Sequence, residues 1–125
     1  MSAFINDLAS AVAVHTAAPP ATYSAAFNGD AIDLIDSDGA CFAVQQVGVF
    51  EEGHTWTGRV EQSADGTSGW TAISGAAFAA VTEGQNTQAI RFTRTARYVR
   101  YAASVVGADP EASLAVLIGE ARKTF

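Results

Sequence analysis

A metal centre or a proton relay needs several donor side chains within reach of one point, and the spacing in this chain does not supply them. The two histidines, His15 and His54, lie in a proline-flanked leader and at the start of an extended run. Neither has a second His or Cys at ligand spacing, so no metal site is expected. Cys41 is the only cysteine, which leaves no intramolecular disulfide and no Cys-based metal centre. Its setting, Gly39-Ala40-Cys41-Phe42-Ala43-Val44, is that of a small core residue rather than a reactive thiol. The acidic segment Asp30-Ala-Ile-Asp33-Leu-Ile-Asp36-Ser-Asp38-Gly39 lacks the carboxylates at positions 1, 3 and 5 and the closing Glu of a calcium loop. Ile32 and Leu34 alternate with Asp33, which reads as a half-buried strand running into a turn. Glu51 and Glu52 are adjacent, so on extended backbone they point oppositely and cannot flank one bond. No Gly-x-Ser-x-Gly elbow, Walker loop or Gly-x-Gly-x-x-Gly is present, and Ser68-Gly69 and Ser74-Gly75 read as turns. The expectation is a protein that is not an enzyme, with no cofactor and no metal.

The stretch that does carry recognition chemistry is composite. Val60 to Ile73 reads as a hairpin whose Asp65-Gly66 turn tolerates positive φ, with Trp70 and Ile73 returning to the core. Phe92 to Tyr101 follows as a strand holding two arginines and two tyrosines. Arg97, Val99 and Tyr101 share one face of it, and Tyr98, Arg100 and Ala102 the other. Two readings stay open: arginine stems lying over apolar neighbours, or an Arg/Tyr surface that anchors a partner, since both types are enriched at interface hot spots.

The elements that would position these residues are short and extended. From Tyr23 onward, β-type runs alternate with turn signals every 8–12 residues, as in a sandwich or barrel. The runs are Tyr23–Phe27, Ala31–Ile35, Ala40–Phe50, His54–Gln62, Trp70–Ile73, Thr87–Thr93, Ala96–Val106 and Ala112–Glu120. Ala76–Val81 is ambiguous between a helical turn and a loop with a buried anchor. No segment sustains the 3.6-residue apolar period of a core helix. The fold class expected is all-β, an antiparallel β-sandwich or jelly roll over residues 23–125, with Phe42, Val44, Trp56, Val60, Trp70, Ile73, Ile90, Phe92, Val116 and Ile118 mostly buried. Residues 1–22 are expected to form an extended N-terminal arm outside the core, because Pro19-Pro20 breaks the chain and Phe4, Ile5, Leu8, Val12 and Val14 are apolar without a periodic place.

Composition narrows the partners. The 125 residues fit one domain, and only 16% are charged, against about 25% in an ordinary globular domain. Such a surface suits an assembly subunit, much of which is hidden. A net charge of −6 argues against binding nucleic acid, where Lys and Arg must neutralise phosphates. No run approaches the 18 apolar residues of a spanning helix, and Met1-Ser-Ala-Phe-Ile-Asn-Asp lacks the basic and apolar regions of a signal peptide. No membrane partner is expected.

The Asp65-Gly66 hairpin followed by Ala96-Arg97-Tyr98-Val99-Arg100 resembles the discoidin-like jelly-roll domains, many of which bind glycans or lipid head groups. A second likeness runs through nearly the whole chain. Asn6-Asp7-Leu8, Asn28-Gly29-Asp30-Ala31-Ile32-Asp33-Leu34, Thr57 to Gly66, Ala96 to Tyr101 and Leu114-Ala115-Val116-Leu117-Ile118-Gly119 together resemble small virion proteins of tailed phages and prophages. That resemblance implies a capsid decoration (cement) protein on the virion capsid surface, made in the host bacterial cytoplasm. Its partners would be the major capsid protein and further copies of itself, a homo-oligomer with a trimer favoured. Candidate interface residues are Phe4, Ile5, Leu8, Val12, Val14, Arg97, Arg100 and Tyr101. Two alternatives remain, a carbohydrate-binding module of a phage head or tail fibre, and a head–tail connector or tail component.

Overall fold

β-branched and aromatic residues alternating with small ones, cut by Asp-Gly and Glu-Gly turns, leave the backbone little choice but extension. In the computed structural model, which describes residues 12–35, 37–107 and 111–122, the described residues contain no helix. The strands are β1 (Val12–Tyr23), β2 (Phe27–Asn28), β3 (Ile32–Asp33), β4 (Ser37–Phe50), β5 (Thr55–Ser63), β6 (Thr71–Ala77), β7 (Asn86–Thr93), β8 (Tyr98–Val106) and β9 (Ala112–Arg122).

One sheet runs in the order β1-β9-β4-β7, and the other runs β2-β8-β5-β6 with β3 also paired to β8. The antiparallel pairs are nested: β1 with β9, β2 and β3 with β8, β4 with β7, β5 with β6. A long hairpin rolled over itself has this order, and the result is the two-sheet jelly roll.

Between the sheets, Trp56, Val60, Val99 and Tyr101 meet Ala43, Val47, Val116 and Ile118, all at 1% exposure or less. Phe92, Ile73, Phe78 and Val81 complete this core. The Ala76–Val81 ambiguity resolves into the end of β6 followed by a loop whose Phe78 and Val81 are buried. Cys41 is buried, as its apolar setting implied.

Two expectations need correction. Residues 12–22 are not an arm outside the core. They form most of β1, which pairs with β9 from Val12↔Ala121 to Tyr23↔Ala112 and buries Ala17 and Ala18. Pro19 and Pro20 are accommodated because, among the described residues, β1 is an edge strand paired on one side only, with register shifts between Thr16 and Ala21. Residues 1–11 lie outside the described residues. The second correction concerns phase in β4. Cys41, Ala43, Gln45 and Val47 point inward, and Phe42 and Val44 are only half-buried, on the outer face. The run is apolar at both parities, so alternation could not choose. Space does: Trp56 and Tyr101 from the facing sheet need small residues opposite them. Trp70 and Ile90 are likewise half-buried rather than interior.

Candidate interaction surface

The Arg/Tyr strand is divided by its own pleat. Val99, Tyr101 and Ala103 point inward from β8, and Tyr101 is fully enclosed. Its hydroxyl accepts a hydrogen bond from Trp56 Nε1 at 2.9 Å and donates one to Gln45 Oε1 at 2.6 Å. Burial pushes the Tyr101 phenol up to about 12. Gly58 leaves the room for this chain of polar groups, since a Cβ there would stand 2.2 Å from Gln45 Oε1 and 2.3 Å from the Tyr101 oxygen. Tyr101 is therefore a core residue and not an interface anchor, which corrects the expectation for it.

The arginines lie outside but are already engaged. Arg100 donates to Glu61 Oε1, with Nη2 at 2.8 Å, and its guanidinium lies 4.4 Å from the Trp70 ring centre. Arg59 reaches the other Glu61 oxygen at 3.1 Å and Ser104 Oγ at 3.0 Å. Arg97 grips Asp33 with Nε and Nη2, at 2.9 and 2.7 Å, and stacks over Tyr98 at 5.1 Å. Its guanidinium holds the Asp33 carboxyl below the usual range. Beside it, the Asp65 turn closes on itself: Ser68 and Thr67 amides each donate to Oδ1 at 2.9 Å and hold that carboxyl well below the usual range. The outer face of the β2-β8-β5-β6 sheet is thus polar and internally paired.

The opposite outer face is different in kind. On β1-β9-β4-β7 the outward positions form cross-strand rows: Val14, Gly119, Phe42 and Arg91, then Thr16, Leu117, Val44 and Ala89, then Ala115, Gln46 and Thr87. Val14 is 54% exposed and Leu117 41%. The far end of the Phe42 ring covers Gly119, where a Cβ would collide with it. No acidic residue occupies these three rows, although the chain has 13. Glu120, the nearest on β9, points inward and is 4% exposed, with its Oε2 3.6 Å from His15 Nε2. Next to the apolar rows lies a recess of about 320 Å³ between Pro20, Thr22, Gln46, Gly48, Ser113 and Ala115.

Of the residues singled out in the sequence, Val14 lies on this apolar face and Val12 opens the strand that borders it. Phe4, Ile5 and Leu8 lie outside the described residues. Sequence reading missed Phe42, Val44 and Leu117 as surface residues. The available signal was β9, where Leu117 interrupts the inward series Leu114, Val116, Ile118. A second cleft, of about 420 Å³, opens between the sheet edges, where Tyr23 stacks on Phe27 at 4.4 Å beside Asn28 and Asp30. Among the described residues no cluster of His, Cys, Asp or Glu could hold a metal ion.

No family model and no curated protein sequence matches the chain. Among solved structures, its fold is similar to that of the PBSX exported protein XepA, with a TM-score of 0.64 and 16% identity over 90% of this chain. The match spans 38% of that protein's chain, so the likeness concerns a part of it and shows the fold.

Proposed function

We propose that this chain is a non-catalytic structural protein of a tailed-phage particle, a capsid decoration protein that binds the assembled head and stabilises it. The observation that carries the reading is the outer face of the β1-β9-β4-β7 sheet. An acidic protein whose three described rows on this face hold no carboxylate, and hold Val14, Phe42, Val44 and Leu117, has a surface suited to protein cover. The likeness of fold to a part of a phage PBSX protein supports placing it among phage proteins. The mechanism is mass action: a protein that binds only the intact shell stabilises it by roughly 2.7 kcal/mol per site at a hundredfold excess over Kd.

The test strips the protein from particles, adds it back at saturation and compares shell melting. A rise in melting temperature without added metal, sugar or nucleotide is expected. Unchanged melting together with glycan binding blocked by Tyr23→Ala would instead favour a carbohydrate-binding module, the reading to which the Tyr23–Phe27 cleft belongs.

A further inference from the structure

The cleft between the sheet edges lies apart from the outer face given to the shell, and its lining has a chemistry of its own. We propose that this cleft binds a neutral saccharide, one sugar ring seated against Tyr23 with its hydroxyls held by Asn28 and Asp30, as a second function beside decoration. Its volume of about 420 Å³ is within the range of clefts that enclose small organic ligands. The walls come from different sheets, Pro19 and Tyr23 from β1, Phe27 and Asn28 from β2. Gly29 lets them approach: its amide donates to Tyr101 O at 2.7 Å, and a Cβ there would stand 2.5 Å from Ala17 O. Phe27 is backed by the Tyr101 and Trp56 rings, 5.8 and 6.1 Å away. Tyr23 is held by its stack on Phe27 and by donating its hydroxyl to Pro19 O at 2.7 Å. The cleft is therefore anchored in the core and loses little freedom when a ligand enters.

Each lining group suits a sugar. Tyr23 covers one face of its ring with Phe27 and keeps the other, and the electron-rich face of an aromatic ring attracts the polarised C–H bonds on one side of a pyranose. Asn28 and Asp30 line the same cleft and are exposed. An Asn amide both gives and takes hydrogen bonds, and an ionised Asp takes them at two oxygens, which matches neighbouring hydroxyls that can each do either. Charge narrows the class. Asp30 is the one charged residue lining the cleft, and no Lys or Arg lines it, so uronic acids, sugar phosphates and lipid phosphates are repelled. One ring on one aromatic face binds weakly, in the millimolar range. On the decoration reading, repetition over the particle surface multiplies so weak a contact.

The experiment is saturation-transfer NMR of the purified full chain with the methyl glycosides of glucose, galactose, mannose, rhamnose and N-acetylglucosamine, and with that of glucuronic acid as the charged comparison. Transfer to the ring protons of at least one neutral glycoside is expected, and none to the glucuronide. Asp30→Ala and Tyr23→Ala should each weaken that binding at least tenfold, and the exposed Asp30 can be replaced without touching the core, as unchanged circular dichroism would show. No neutral glycoside bound at about 20 mM, equal binding of the glucuronide, or binding that Asp30→Ala leaves intact overturns the inference. Capsid add-back separates it from the functional reading. A chain that raises shell melting but binds none of these sugars removes only the saccharide site, and one that binds sugar without effect on shells removes only the decoration role.

Discussion

Gln45 is a polar side chain sealed in an apolar layer, and what makes it tolerable is a phenol at the right distance. Tyr101 satisfies Trp56 Nε1 and Gln45 Oε1 at once, while Gln45 Nε2 has no partner among the described residues. Tyr101→Phe keeps the ring and strands both groups, each at about 1–3 kcal/mol. Urea unfolding should show a loss in that range or its double, and no loss would deny the chain any energetic role. Gly58→Ala intrudes on the same oxygens and should be at least as costly. Cys41, whose thiol burial pushes up to about 11, should resist thiol reagents at neutral pH and react only on unfolding, which a colorimetric assay reads directly. Asp65 gives the pH dependence. Folding lowers its pKa, so its contribution is present above about pH 4 and is lost as pH falls through the lower folded value. Asp65→Asn should be less stable at neutral pH and lose less on acidification, as thermal melts across pH would show. The turn around Asp65 and the burial of Cys41 were legible from residue type. The interior place of Tyr101 was not, because both parities of β8 carry a tyrosine or an aliphatic residue and only packing against β4 and β5 separates them.

At the scale of the element, the edge strand β1 is the instructive one. Pro19-Pro20 reads in sequence as a stop, because an interior strand cannot spare the amide hydrogens. An edge strand can, and the prolines also blunt an edge that would otherwise template another chain. Deleting residues up to Tyr23 should therefore uncover β9 and yield insoluble protein, where a detachable arm would leave a soluble sandwich. On β8, Arg100 stacks on Trp70 and pairs with Glu61 while mostly shielded from solvent. Arg100→Ala should cost about 1–2 kcal/mol of stability, measured by chemical unfolding. Such a loss without weaker particle binding would mark it as a structural residue. β4 shows the limit of reading by alternation. Its eleven residues from Ala40 to Phe50 contain an apolar residue at both parities, so existence and length were readable but not phase, and with phase went the identity of the exposed face.

For the whole molecule, the two sheets divide the labour of meeting solvent. One is coated by arginine–carboxylate pairs that satisfy each other, and the other is mostly apolar in its three described rows and holds no carboxylate there. The all-β class and the sandwich were legible because turns recur at strand spacing and no helical period competes. The pairing of the first strand with the last was not, since nothing local in Val12–Tyr23 names a partner some hundred residues away. That nesting carries a consequence for how the protein is made. β9 is the central strand that separates β1 from β4. At roughly 5–20 residues per second on a ribosome, β1 emerges roughly 5–20 seconds before the strand that must lie beside it. During that interval the sheet has a first strand and a third but no middle, and whatever shields them meanwhile, chaperone or translation rhythm, governs yield more than final stability does. A ribosome that stops before Ala112 releases a chain with nothing to close it.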